Sequence, residues 1–231
     1  MLIPLLLILS LGIAVIFSSS QILAVQQAIF ALVGLILYLV LRTFDYRSLT
    51  SLIKYAYFVV FILLLIVLII GFETRGSVRW ISLGPINIQP SEFAKPVLIL
   101  ALAEFWRKNS ASWLNILKSL GIALPIFILI FRQPDLGTSL TVAFIWFSML
   151  LAANLSLIKV FVLGFLGTLL IPTSWHFLRD YQRERIISFL SPQQDPQGIG
   201  FHVIQSQIAV GSGQLFGRGL GRGTQSRLQF L

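Results

Sequence analysis

The stretch YAYFVVFILLLIVLIIGF, Tyr55–Phe72, decides the fold. Its 18 residues include no charge and no proline. Crossing the hydrocarbon core of a bilayer takes about 20 apolar residues, within a range of about 17–25. Working outward from this stretch, six more apolar runs follow the same rule: Leu2–Ser18, Ile22–Leu41, Phe93–Phe105, Leu114–Phe131, Thr138–Ala153 and Leu157–Trp175. The run at Phe93–Phe105 is the weakest. It carries Lys95, Pro96 and Glu104, with Glu92 at its edge. The expected fold is all-α: a polytopic transmembrane helical bundle forming a single membrane domain over residues 1–231. Its spans are expected near 2–18, 22–41, 55–72, 93–105, 114–131, 138–153 and 157–175.

Composition supports a bilayer over water. Hydrophobic residues make up 57% of the chain and mean hydropathy is +0.91. Charged residues are 11%, against about 25% in an ordinary soluble domain. A soluble fold of this size cannot bury that much apolar surface. There is no cysteine, which excludes disulfides and thiolate metal sites. The net charge of +9 does not indicate nucleic acid, because the basic residues lie between apolar runs and not on one face. The first run lacks a preceding basic residue and a clear A-x-A cleavage pattern, so it is expected to be a retained span.

Short loops set the orientation. Arg42, Arg47, Lys54, Arg107, Lys108, Lys118 and Lys159 fall on one side, and Arg75, Arg79 and Arg132 on the other. The richer set is expected in the cytoplasm. That places the N-terminus inside, and 73–91, 132–137 and 176–231 outside. Trp80, Trp106, Trp113 and Trp175 fall near the resulting interfaces, as an aromatic belt does. Connections are ordinarily about 4–6 residues long. Residues 73–91, rich in Gly, Pro, Asn and Ser, and the Gly-rich 176–231 are longer and are read as functional loops. Within the second, Phe201–Val210 is apolar but too short to span, and either lies on the membrane or re-enters it.

Four segments carry candidate chemistry. In Gln89-Pro90-Ser91-Glu92-Phe93-Ala94-Lys95, Ser91 is expected to cap a helix, with Glu92 in its first turn and Lys95 on the same face. The plain reading is a capped helix start with a local ion pair. The functional reading is a polar site at a cavity, since ionisable groups at membrane depth are rare, and Glu104 is expected deeper in the same span. In Arg132-Gln133-Pro134-Asp135-Leu136-Gly137-Thr138, Asp135 is either a helix cap or a carboxylate at the mouth of the bundle, on the side of Glu92. Tyr181-Gln182-Arg183-Glu184-Arg185 is either a solvated charged face or a phosphate-binding arginine pair. The run from Gly211 to Gly223 with Arg218 and Arg222 is either a loop needing positive φ at several positions or an anion-binding concavity. His176 and His202 have no ligand-spaced partner, so zinc is not expected.

Taken in order, several segments resemble the shape, elongation, division and sporulation family of bacterial cell-wall proteins. They are Arg79-Trp80, Gln89-Pro90-Ser91-Glu92, Gln133-Pro134-Asp135-Leu136-Gly137-Thr138, Asp195-Pro196-Gln197-Gly198-Ile199-Gly200, Gln205-Ser206 and Gly211-Ser212-Gly213. Tyr181 to Arg185 and Gly223-Thr224-Gln225-Ser226 are more similar to the rod shape-determining branch than to the division branch. The resemblance implies a peptidoglycan glycosyltransferase of the bacterial cytoplasmic (inner) membrane. It would polymerise lipid II during elongation and cell-shape maintenance. Its partners would be a class B penicillin-binding protein and other membrane proteins of the elongation complex, with no nucleic acid.

The same resemblance implies about ten spans, with the chain continuing past Leu231 into a Pro-Glu and His-Thr-Asp segment that holds the family's candidate catalytic aspartate. No catalytic residue is therefore assigned among residues 1–231. The substrate-binding candidates are Arg79, Glu92, Lys95, Gln133, Asp135, Arg183, Arg185, Gln205, Ser206, Arg218 and Arg222. A divalent cation, magnesium or manganese, is expected at Asp135 if one takes part. The alternatives are a flippase or transporter for the lipid-linked precursor, and a non-catalytic scaffold of the cell-wall synthesis complex. A transporter usually shows internal repeats, and the sequence shows none.

Overall fold

A computed structural model of the chain describes residues 2–45, 48–74, 77–83, 86–196, 198, 200–214 and 216–223. Arg47 and Arg75 of the orientation argument, and Gln197, Ile199 and Thr224-Gln225-Ser226 of the quoted segments, lie outside them. The contacts divide into two compact units: Tyr46–Arg183, and Met1–Asp45 together with Glu184–Leu231.

In the second of these units, helix α1 (Leu2–Phe17) packs on α2 (Gln21–Thr43). The α2 start is fixed by Ser20, whose Oγ accepts the Leu23 N–H at 3.4 Å. Residues 184–231 contribute the end of α8 (Asp180–Leu190), a 3-10 turn at Pro192–Gln194, α9 (Phe201–Gly213) and a glycine-rich tail.

The unit Tyr46–Arg183 holds α3 (Ile53–Ile70), a small sheet, α4 (Pro90–Lys108), α5 (Trp113–Arg132), α6 (Leu136–Ala152), α7 (Leu157–Ser174) and the start of α8. Helices α3 to α6 pack into a four-helix bundle. Their buried residues recur at helical spacing: Val60, Leu64 and Val67 on α3; Ala94, Leu98 and Leu102 on α4; Ile116, Ser119, Ala123, Ile126 and Ile130 on α5. The α5 set alternates steps of three and four, the spacing of a knobs-into-holes seam. Much of that seam is small: Ser91, Ala94, Ser119, Ala123 and Ser139 are all buried. In lipid, such residues let helix backbones approach closely and gain dispersion energy. Opposite faces carry exposed Phe58, Phe93, Leu117 and Phe144, as a lipid-facing surface does.

Among the described residues four helices are long and apolar enough to cross a membrane: α2, α3, α5, and α7 with the 3-10 turn that follows it, to Phe177. Helices α1 and α6 are apolar but shorter. Helix α4 has 19 residues and carries Glu92, Lys95, Glu104, Arg107 and Lys108 at its two ends. It is longer than the Phe93–Phe105 run, because its polar first and last turns lower the hydropathy without breaking the helix.

Three expectations are corrected. Ser91 does not cap α4: Gln89 is the cap residue, Pro90 takes the first helical position, and Ser91 is buried one residue in. Proline suits that position because its missing N–H would be unpaired there anyway. The segment 73–91 is not an irregular loop. It forms strands β1 (Phe72–Thr74), β2 (Ser77–Leu83) and β3 (Ile86–Ile88) in one antiparallel meander, ordered β1-β2-β3. Phe72 pairs with Trp80 across the first ladder and Ile81 with Ile88 across the second. The region 176–231 contains α8 and α9, where the sequence reading placed a loop. Helix α9 has 13 residues, so it reaches about 20 Å, short of the roughly 30 Å hydrocarbon core.

Candidate functional site

The end of α3, the sheet, the start of α4, the end of α5 and the start of α6 meet at one end of the bundle. Strand β2 packs against both α3 and α4. Gln133 is the bolt across this end. It is buried, and its Nε2 donates to the Leu64 carbonyl of α3 at 3.0 Å.

Asp135 occupies the centre. Its side chain is 6% exposed, and it does cap α6: Oδ1 accepts the Thr138 N–H at 3.2 Å. The other oxygen serves more distant partners. Oδ2 accepts from Thr138 Oγ1 at 2.9 Å and from Gln89 Nε2 at 3.1 Å, and lies 3.4 Å from the Arg79 guanidinium. Asp135 thus caps α6 through Oδ1 and joins Gln89 and Arg79 through Oδ2. Gln89 also reaches Ser91 Oγ at 3.0 Å, which ties the α4 start into the same network. Tyr181, at the start of α8, donates its hydroxyl to the Pro134 carbonyl at 2.8 Å and pins the α5–α6 turn.

Arg79 is not used up by Asp135. Its Nε is buried and has no hydrogen-bond partner among the described residues. A buried donor without an acceptor is costly and marks a place where one is supplied from elsewhere. Guanidinium geometry suits phosphate or carboxylate oxygens.

The other candidates are placed as follows. Glu92 and Lys95 bond to each other at 2.7 and 2.8 Å on the exposed first turns of α4. Glu104 is not deeper in the same site. It sits at the far end of α4, held by Arg107 at 2.8 Å and Lys108 at 2.6 Å. Arg183 lies 3.7 Å from Asp180 and donates to the Trp175 and His176 carbonyls. Arg185, Gln205, Ser206, Arg218 and Arg222 belong to the other unit. There Ser206 Oγ bonds its own helix at the His202 carbonyl, and Arg218 donates to the Ser212 carbonyl. Gly217, Gly219 and Gly221 all have positive φ, as the plain reading of the glycine run requires. Gln89, Thr138 and Tyr181 were quoted in motifs but not singled out as site residues. The spacing of Asp135 and Thr138 is a capping signal that could have flagged the second.

Asp135 is a poor seat for a divalent cation: Oδ2 faces the Arg79 guanidinium at 3.4 Å and accepts from Gln89 and Thr138, so a second positive charge would have to displace these partners. Among the described residues no three His, Asp or Glu side chains come together. The arrangement suits a carboxylate that holds an arginine for an anion.

The family model for the cell cycle proteins FtsW, RodA and SpoVE matches residues 1–231. The peptidoglycan glycosyltransferase MrdB of Escherichia coli K12 is 40% identical over 203 residues, which cover 86% of this chain and 54% of that protein. The chain thus spans about half the length of that curated relative. A chain from a peptidoglycan synthase complex that coordinates polymerization and crosslinking is 36% identical, with a TM-score of 0.77 over 89% of this chain and 62% of its own. The rod shape determining protein RodA of Thermus thermophilus is 26% identical, with a TM-score of 0.60 over 94% of this chain and 85% of its own.

Proposed function

Since the chain belongs to the FtsW/RodA/SpoVE family of cell cycle proteins, we propose that the protein carrying it is a peptidoglycan glycosyltransferase of cell elongation. It is a multi-pass membrane protein. Its substrate in this reading is lipid II, a disaccharide-pentapeptide on undecaprenyl pyrophosphate. The acceptor sugar hydroxyl attacks the anomeric carbon of the donor, the glycosidic bond forms, the hydroxyl proton passes to a general base, and the lipid pyrophosphate leaves with the electron pair of the broken bond.

The observation that carries the reading is the partly exposed Arg79 guanidinium, held 3.4 Å from the buried carboxylate of Asp135. Asp135, Gln89 and Thr138 hold the guanidinium and the α6 start in place. Arg79 then presents donors to an anionic group. Charge that grows on the leaving pyrophosphate is what such a preorganised donor stabilises. Lys95 supplies a second cation on the first turns of α4. Asp135 is read as a positioning residue, because it is buried and its carboxylate is turned to Arg79, Gln89 and Thr138.

The site end of the bundle faces outward in this reading, with the N-terminus in the cytoplasm and 176–231 outside the inner membrane. A class B penicillin-binding protein is the partner that crosslinks the product. The test is glycan-strand synthesis from purified lipid II by the protein with that partner. Arg79→Ala is expected to lower polymerisation by about 10²-fold, the scale of losing one preorganised donor. Unchanged rates in Arg79→Ala would overturn the site. Translocation of labelled lipid II across liposomes without polymerisation would replace the enzyme by a transporter.

A further inference from the structure

A second polar feature lies at the opposite end of the α3–α5 packing. A cavity of about 840 Å³ opens there, lined by residues that include Lys54, Tyr57, Glu104, Arg107, Lys108 and Gly121. Lys54 is the second residue of α3, and Arg107 and Lys108 are the last two of α4. The cations therefore ring the mouth, at helix ends. Tyr57 and Gly121 lie at least one turn inside their helices.

The charges at the mouth are unbalanced. Among the described residues Glu104 is the one carboxylate in the lining, and it is already held by Arg107 and Lys108. Lys54 has no carboxylate partner among the described residues. The inner wall is built to stay open. Tyr57 spends its hydroxyl on the Ile122 carbonyl at 2.7 Å and locks α3 to α5. A Cβ placed on Gly121 would meet nothing within 4 Å. Pro125, four residues on, has no N–H to give the Gly121 carbonyl, so that acceptor lacks its helical donor.

The occupant must bring a negative charge to the mouth and apolar surface to the interior. A free phosphate ion would meet the rim and leave the interior empty. Basic pockets between transmembrane helices bind anionic lipid headgroups. We propose that this cavity holds the headgroup and upper acyl chains of an anionic phospholipid. This rests on the chain being embedded in a membrane and not on the glycosyl-transfer reading. With the orientation proposed above, the lipid belongs to the cytoplasmic leaflet.

The test is native mass spectrometry of the purified chain, released from detergent after incubation with phosphatidylglycerol or with phosphatidylcholine of the same acyl chains. One phosphatidylglycerol is expected to be retained in preference. Lys54→Gln should weaken that retention about fivefold, the scale of one cation near an anionic lipid. Gly121→Leu should abolish the preference by filling the space, and leucine is a better helix former than glycine. Circular dichroism confirms that each variant is folded, and should Gly121→Leu fail that check, Lys54→Gln decides alone. Equal retention of the two lipids, or retention unaffected by these substitutions, would sink the proposal. So would displacement of the lipid by millimolar inorganic phosphate, which would make the mouth a free-anion site. Loss of lipid II polymerisation in other variants has no bearing on this readout, so the two proposals fail separately.

Discussion

The side-chain amide of Gln89 donates to the carboxylate of Asp135 at 3.1 Å, joining the cap of α4 to the cap of α6. Two helix starts that are far apart in sequence thereby share one buried acceptor. Replacing Asp135 removes the cap of α6 and strands donors on Arg79, Gln89 and Thr138. Asp135→Ala is expected to cost about 1–3 kcal/mol, the price of leaving buried partners unpaired. The melting temperature in detergent checks this. Lipid II polymerisation should fall as well, and normal stability with normal polymerisation would refute the role given to Asp135.

Glu92 and Lys95 separate stability from function. Their pair is partly exposed, with Glu92 side chain 54% accessible. Surface pairs of this kind contribute about 0–1 kcal/mol. Glu92→Ala should therefore leave the melting temperature nearly unchanged while lowering polymerisation. An unchanged rate would remove Glu92 from the site, and a large loss of stability would show that the pair is structural.

Gln133→Leu keeps the volume of the bolt but removes its donor. The Leu64 carbonyl would then lose the bond that Gln133 supplies at 3.0 Å. The expected cost is about 1–3 kcal/mol. Gln133→Glu should be worse than Gln133→Leu, since it sets a carboxylate against a carbonyl in a buried place. Chemical denaturation of the three proteins in one detergent orders them.

The Asp195-to-Gly200 segment has a steric explanation. The Gly198 N–H bonds Asp195 Oδ1 at 3.0 Å, and a Cβ on Gly200 would clash with the Pro192 carbonyl oxygen. Gly200→Ala must displace backbone, at about 1–3 kcal/mol for an overpacked site. Gly198→Ala meets the movable Asp195 carboxylate instead and should be milder. Hydrogen exchange across α9 would compare the two, and equal protection in wild type and Gly200→Ala would refute the steric account.

The chain has no cysteine, so single cysteines report sidedness cleanly. With Ser82→Cys on β2 and Ser110→Cys after α4, a membrane-impermeant maleimide added to intact spheroplasts should label the first only. Labelling of Ser110→Cys alone would reverse the proposed orientation.

Hydropathy made α3 and α5 plain, because each keeps a long uncharged run: Lys54 stands at the start of α3, and Lys118 is the one charge inside α5 before Arg132. It hid the length of α4, whose Glu92, Lys95, Glu104, Arg107 and Lys108 pair along the helix surface instead of breaking it. The sheet at Phe72–Ile88 was masked by composition. Its strands are short, and the glycine, proline, asparagine and serine among them read as loop. The capping role of Asp135 was legible from Pro134-Asp135 just before the apolar run of α6. Its contact with Arg79 was not, since pairing between distant segments leaves no local period. The placement of Glu104 failed for a simpler reason: counting turns from Glu92 ignored that α4 runs the full height of the bundle.

The small buried residues of the α3–α6 seam have a further consequence. In water, polarity tells a helix which side is inside. A bilayer erases that difference, because lipid tails and neighbouring leucines are solvents of one kind. Fit then does the sorting: Ala94 and Ala123 lie buried among larger neighbours such as Leu98 and Ile126, while Phe93 and Leu124 face outward. An alanine-to-leucine change at position 94 is for this reason a change of architecture. A leucine-to-phenylalanine change at 124 alters only the company the helix keeps.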